Sequence, residues 1–427
     1  MGKGQGSKDD PDGAMVLKRQ VGLVGGIALL VGTIIGSGIF ISPKGVLRST
    51  ESLGMSLVIW MVCGVLAMLA SLCYAELGTI IPKSGGEYAY LGEAFGPIPA
   101  YLFSWTYAIV LKPSSLAAIT LTFGTYFSQL FVSGSCSAPT YLIKMWAVLA
   151  ILLIAFINSY SVKWATRVQV VFTAAKVLAL VIIIFVGFIR ICQGYTEHLD
   201  PSISFEGSST RIFAYGIAFY QGLWAYDSWN QLNFVTEELV NPKRYGCPKG
   251  WVQSSNLFVS DKKFSTYRLA FVSAREGHMM EILSMVHIKR FTPFPSIVFT
   301  SFIAILMLLP NDFDTLVNYF SFAAWLFYGA TFTALLVLRY KYPNIERPIK
   351  VPIVIPIFVL LASVYLVIAP IIDKPELDFL YAVIFILAGL LLYYPFVHKK
   401  LSFKCNKTFT YFLQKLMRVV PSAKPIS

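Results

Sequence analysis

Long, uninterrupted apolar runs constrain this chain more than any other feature. A helix needs roughly 20 consecutive apolar residues to cross a bilayer. Ten stretches of that character lie near residues 20–46, 55–75, 97–131, 142–160, 168–191, 212–235, 294–310, 317–338, 351–371 and 379–397. In hydrocarbon each backbone amide must be satisfied inside the protein, so only helices and closed barrels span. These runs are continuous, without the strict alternation of barrel strands, so helices are expected. Of the 427 residues 56% are hydrophobic and 13% charged, against about 25% charged in a soluble domain. The fold class is therefore all-α and polytopic. No cleavable signal peptide is expected, because the N-terminus is polar through Asp12 and the first apolar stretch leads straight into more spans.

A net charge of +13 would suit a nucleic-acid binder, but its distribution argues otherwise. With the N-terminus placed in the cytosol, 27 of the 35 Lys and Arg fall in cytosolic segments, among them Lys18, Arg19, Lys163, Arg167, Lys243, Arg244, Arg339 and Lys399. Six fall in outer loops (Lys44, Arg48, Lys144, Arg190, Arg211, Lys374), and Lys112 and Lys176 fall within spans. That asymmetry is the positive-inside rule, and it places both termini in the cytosol. The basic excess carries no argument for nucleic acid. Six scattered cysteines make no disulfide framework. Only Cys136 lies in a clearly exposed outer loop, where it is either a bond to another chain or a free thiol.

Two of the spans are interrupted. The first reads Gly32-Thr33-Ile34-Ile35-Gly36-Ser37-Gly38-Ile39-Phe40. Each glycine costs about 1 kcal/mol in a helix interior, so the cluster points to local unwinding. Freed amides and the next half-helix N-terminus can bind a carboxylate; the alternative is close helix packing through small residues. The sixth span reads Phe219-Tyr220-Gln221-Gly222-Leu223-Trp224-Ala225-Tyr226-Asp227-Ser228-Trp229-Asn230. An Asp at mid-depth costs roughly 2.5–3.5 kcal/mol on insertion scales, so Asp227 should face the bundle interior or a cavity. Breaks in spans one and six are the pattern of a transporter built from two inverted five-helix repeats, with the site between their first helices.

The amides of Ile34, Ile35, Gly36, Ser37 and Gly38 are assigned to an α-carboxylate, and carbonyls near Phe219 to Trp224 to an α-amine. Trp224 and Ala225 line the same site, with Trp224 as an aromatic gate. Asp227 is read as the partner of a cationic side chain or α-amine, in preference to a purely structural partner of the break. Lys176, in the fifth span, needs a partner or a depressed pKa at its depth; one reading is that its ammonium fills the place of a coupling sodium near the first break, and the alternative is snorkelling, which its depth disfavours. Lys112 has no evident role, and Glu76 reads as structural. No metal or cofactor is expected: the four His (His198, His278, His287, His398) lie outside the spans, with no nucleophile–base arrangement for an enzyme.

The segments Val31 to Pro43, Pro82 to Tyr90, Gly222 to Asn233, Val317 to Gly329 and Glu346 to Pro352 resemble the L-type amino acid transporter family. Its members are the light subunits of heteromeric amino acid transporters, and the likeness is strongest to the b(0,+)-type branch for cystine and dibasic amino acids. Asp227 is the discriminating residue, since relatives for large neutral substrates carry a small residue there. The resemblance implies sodium-independent exchange of cystine, lysine, arginine or ornithine against neutral amino acids. It implies that Lys176 replaces sodium, and that Cys136 joins a single-span glycoprotein heavy subunit resembling rBAT. It also implies an epithelial plasma membrane, apical, as the location. The only sequon noted, Asn406-Lys407-Thr408, falls on the cytosolic side. Phe409, Phe412, Leu413, Leu416, Met417 and Val420 follow helical spacing, as in an amphipathic helix on the inner membrane face. It ends at Val419-Val420-Pro421, similar to the family's export-related tail.

The match breaks after Arg244. The family has twelve spans, whereas here Tyr245 to Thr266 contains no apolar window long enough to cross. The expected organisation is a disordered cytosolic N-terminus (1–17), the first repeat with the broken sixth span (18–240), an atypical cytosolic linker in place of spans seven and eight (241–267), the remaining spans (268–398), and a cytosolic tail with its amphipathic helix (399–427). Losing two spans keeps later helices in the same orientation but removes walls of the cavity, so poor or absent transport is expected. An alternative transcript or an incorrect gene model would each explain the junction; a full-length transcript that crosses codons 244–268 without two further spans makes the deletion real, whereas finding them there restores the twelve-span pattern.

Overall fold

The computed structural model describes residues 35–81, 85–132, 138–160, 162–227, 229–230, 279–288, 290, 292–373, 377–399 and 404–421. Helices occupy part of each of the ten expected segments. The described α-helices longer than one turn are α1 (Gly38–Thr50), α2 (Leu53–Ile80), α3 (Glu87–Phe95), α4 (Pro97–Thr106), α5 (Lys112–Gln129), α6 (Thr140–Tyr160), α7 (Val162–Cys192), α8 (Tyr215–Ala225), α9 (Phe294–Leu308), α10 (Phe313–Lys341), α11 (Val354–Asp373), α12 (Leu377–Leu392) and α13 (Lys404–Met417), with α3 and α13 outside the ten segments. A five-residue π-turn, Tyr107–Leu111, joins α4 to α5. Among the described residues six helices are long and apolar enough to cross a membrane. In the two spans expected to break, the described helices are α1, which starts at Gly38, and α8, which ends at Ala225.

Burial follows this division. Helix α10 is the central post, burying Phe322, Trp325, Phe332, Leu335 and neighbours. It is tied to α11 by the Ser363 hydroxyl, which donates to the Trp325 carbonyl at 2.6 Å. Helix α11 is tied in turn to α8 by Tyr220, whose hydroxyl donates to the Leu366 carbonyl at 2.7 Å. Trp105 of α4 donates to the Phe385 carbonyl of α12 at 3.2 Å. In contrast, the apolar window of Val171–Cys192 is nowhere buried, and it presents Ile182, Ile184, Phe185 and Phe188 outward. Such a surface would be untenable in water and is the ordinary one against lipid.

The Gly85-Gly86 pair turns the chain between α2 and α3 at φ of 132° and 54°, where side-chain residues are disfavoured. Glu87 at the start of α3 is buried, and α3 packs on α4 and α10. Two short strands form a separate small element. Met285–His287 (β1) and Val419–Pro421 (β2) pair antiparallel, with Val286 opposite Val420. They form a small cluster of Ile282, Leu283, Met285 and Val419 on which Leu413 and Met417 of α13 pack. Phe412 and Leu416 of α13 remain exposed.

Glu76 is fully buried and satisfied from three directions. Arg339 of α10 grips it with two nitrogens, Nε to Oε1 at 2.9 Å and Nη2 to Oε2. The Val351 amide donates to Oε2 at 2.9 Å, and the Arg347 guanidinium lies 3.6 Å from Oε1. This is the structural role expected for Glu76. Breaking one partner of a buried pair costs about 3–5 kcal/mol, because the other charge is left uncompensated. Glu76→Gln should therefore sharply lower the thermal-shift midpoint in detergent, whereas Glu206→Gln, at an exposed position, should leave it nearly unchanged.

Candidate functional site

The chain reaches α1 through three bend residues, Ile35, Gly36 and Ser37. Helical geometry begins at Gly38, and the first backbone amides of a helix have no intrahelical acceptor. Ser37 stands at the N-cap without a side-chain capping bond. These amides open on the other interrupted element. Helix α8 holds regular geometry from Tyr215 to Ala225 and then turns at Tyr226 and Asp227. The break therefore follows Ala225 and lies C-terminal to the Phe219–Trp224 stretch whose carbonyls were assigned to an α-amine. Most of that stretch's carbonyls are engaged by the next helical turn. The Leu223 carbonyl accepts from Tyr226 N at 3.1 Å, and the Trp224 carbonyl from Asp227 N at 3.4 Å.

The two breaks meet. A Cβ placed on Gly38 would lie 2.6 Å from the Ala225 Cα, closer than any real contact. Along the same crossing a Cβ on Gly45 would touch Gln221 at 3.0 Å, and one on Gly222 would press on Cys63 Sγ at 2.8 Å. Glycine at Gly38 lets α1 meet the α8 backbone, and at Gly45 and Gly222 it leaves room for the Gln221 and Cys63 side chains where α1, α2 and α8 pack. Ile35, Gly36, Ser37, Gly38, Trp224, Ala225 and Asp227 are thus brought to one region from two distant parts of the chain.

Trp224 is buried, its ring edge-on to Phe320 at 4.9 Å between centroids. Beyond it a cavity is lined by Trp224, Asp227, Trp229, Phe320, Trp325 and Tyr328. A second cavity adjoins it through Asp227, Phe320, Ala324 and Tyr328, and continues to Glu87, Tyr107, Lys112 and Asn230. Each has room for about one water molecule, so the space around the polar groups is narrow. Tyr328 donates to Asp227 Oδ1 at 3.4 Å. Asn230 Nδ2 donates to Glu87 Oε1 at 2.5 Å and lies 3.5 Å from the Tyr328 hydroxyl. Tyr74 donates to Glu87 Oε1 at 3.0 Å. Trp229 plugs the polar cluster, edge-on to Tyr74 at 4.7 Å. Burial pushes the Glu87 carboxyl, which lies between the second and third spans, up to about 7 despite these donors.

The structure adds Glu87, Lys112, Asn230 and Tyr328 to the site. Asn230 was visible only as an interruption of span six, and Glu87 lies outside any span, where a carboxylate draws no notice. Lys176 sits on α7, partly buried, and makes no hydrogen bond or ion pair among the described residues. Ile34, Cys136 and the linker 241–267 lie outside the described residues.

A family model described as amino acid permease matches residues 21–255 and 263–393. The chain belongs to the amino acid permease family. This permease is 47% identical to the b(0,+)-type amino acid transporter 1 of Mus musculus over 96% of its own length and 94% of the relative's. Identity to the protein of that name from Homo sapiens is also 47%, over 95% and 94%. It is 38% identical to the large neutral amino acids transporter small subunit 2 of Mus musculus, over 85% and 78%. The first alignment runs over 464 positions, more than the 427 residues of the permease, so part of that relative stands opposite gaps. The relatives are transporters, not enzymes, and amino acid transport is the activity class of this polytopic membrane protein.

The Gly38–Ala225 contact makes a direct prediction. Gly38→Ala should force the two breaks apart, at an overpacking cost of about 1–3 kcal/mol, and should reduce ligand-induced thermal stabilisation by an amino acid. Gly187, around which a Cβ meets nothing within 4 Å, is the control; Gly187→Ala should be neutral or stabilising by up to about 1 kcal/mol.

Proposed function

We propose that this permease is the light subunit of a sodium-independent exchanger that imports cystine and dibasic amino acids against neutral ones by alternating access. The observation that carries this reading is the position of Asp227, at the turn where α8 ends and beside the crossing with Gly38. A carboxylate held there by Tyr328 is suited to a guanidinium or ammonium at the far end of a substrate. The substrate α-carboxylate then takes the amides of Ile34 to Gly38, and the α-amine takes carbonyls at the end of α8. Trp224 closes over the substrate against Phe320. Lys176 serves as the fixed charge in place of sodium.

The heavy subunit is a single-span glycoprotein resembling rBAT, joined through Cys136. The location is the plasma membrane, apical in epithelium, with both termini cytosolic. Pairing of β1 with β2 supports a shared side for the 285–287 loop and the C-terminal segment. The exposed Phe412 and Leu416 of α13 suit contact with lipid on that side.

A second reading has its own observation. Residues 245–266 offer no spanning window, and the aligned relative carries residues opposite gaps. Two helices expected to wall the cavity and back the break of span six would then be missing. On that reading the chain assembles with the heavy subunit but does not transport.

Uptake of labelled arginine and cystine on co-expression with a heavy subunit separates the two. For the exchanger, uptake proceeds without sodium and rises when the cells are preloaded with leucine. Asp227→Ala should then lower arginine uptake at least about tenfold more than leucine uptake, since removing one partner of a buried charge pair costs about 2–5 kcal/mol. Unchanged arginine uptake sinks the role given to Asp227. A disulfide-linked band on non-reducing gels that Cys136→Ser abolishes, with no uptake by the parent chain, establishes the second reading.

A further inference from the structure

Lys112 is the site residue whose part the sequence leaves open, and its surroundings supply one. Pro113 has no amide hydrogen, so the regular ladder cannot close on the carbonyl four residues before it. The helix opens there into the π-turn Tyr107–Leu111, a distortion common at functional sites. Lys112 follows directly. Its side chain lines the same cavity as Glu87, Asp227, Asn230 and Tyr328, with Nζ over the Tyr107 ring at 4.9 Å from the centroid. The charged residues lining that cavity, among those described, are two carboxylates and this one ammonium. Glu87 already has two fixed donors on Oε1, the Tyr74 hydroxyl and the Asn230 amide, whereas Asp227 stands at the turn beside the substrate region. The charge to be balanced is then that of Asp227.

We propose that Lys112 is the resident counter-charge of the cavity, offsetting Asp227 while no cationic side chain is bound and yielding to one when it enters, so that Lys112 sets the preference between neutral and cationic substrates. The proposal rests on the reading of Asp227 as the side-chain partner of a dibasic substrate. An ionised carboxylate at this depth is costly, and a cation lining the same small cavity offsets part of that cost. With a neutral amino acid bound, Lys112 still balances Asp227. With arginine or lysine bound, two cations face one carboxylate. The flexible lysine stem and the Tyr107 face give the displaced ammonium a place to rest. One cavity can in this way accept both classes that an exchange of dibasic for neutral amino acids requires.

Two measurements on the full chain, purified with its heavy subunit, test this. The first needs no substrate. Lys112→Met and Asp227→Asn should each lower the thermal-shift midpoint, and the double variant should recover much of the loss, because it removes both charges together. Additive losses overturn the proposal. The second is competition binding of arginine and leucine. Lys112→Met should raise the arginine-to-leucine affinity ratio on the order of tenfold, while Lys112→Arg, which keeps the charge, should leave it near the parent value. A ratio unmoved by Lys112→Met overturns the specificity role even if the midpoints couple. Coupled midpoints in a parent chain that binds no arginine would instead reject the substrate reading of Asp227, and with it the specificity role, leaving only the internal charge pair.

Discussion

The close approach of Gly38 to Ala225 is the contact on which the rest of this molecule depends. Inside a bilayer an interrupted helix is tolerable only where protein or a water-filled cavity meets its freed backbone. Two interruptions that meet each other satisfy that condition jointly and create a polar region between them. The absence of a Cβ at Gly38, Gly45 and Gly222 brings α1, α2 and α8 together. That packing leaves the amides preceding α1 and the turn after Ala225 within one small region. The turn then delivers Asp227 to the cavity and Trp229 onto Tyr74.

Charge within the bundle follows from the same scarcity of water. Glu76 is met by Arg339, by Arg347 and by a backbone amide, and it fastens α2 to α10 and to the chain that follows. Its every oxygen is occupied, which suits a fixed joint. The second cluster is built differently. Glu87, Asp227 and Lys112 share a cavity with neutral donors, and one Glu87 oxygen is left without a partner. A polar group set in this way can exchange partners when a ligand arrives, whereas the Glu76 joint cannot without breaking.

Much of the fold could be read from residue order because hydropathy and length carry it. Each of the ten apolar stretches contains helix, and a lipid-facing helix such as α7 declares itself by composition alone. The location of the second break was less legible. Gly222 and Gln221 suggest unwinding within Phe219–Trp224, yet α8 runs on to Ala225. There Gly222 serves close packing against Cys63, and Gln221 donates to Asp314 at 3.3 Å. A glycine that relieves crowding and a glycine that ends a helix look the same until the neighbours are known.

By itself, then, the sequence determined that this chain is a helical membrane protein with interruptions in its first and sixth spans, an acidic residue beside the second, and too little apolar length after Arg244 for two further crossings. Those properties belong to local runs of residues and to the solvent that must surround them. Only the tertiary structure decided that Gly38 abuts Ala225, that Glu87 and Tyr328 belong to the site of Asp227, and that Lys112 faces them. These are encounters between segments tens to hundreds of residues apart. They depend on how closely backbones can pack and on where a proline-induced π-turn aims a side chain, and no single stretch of sequence encodes either.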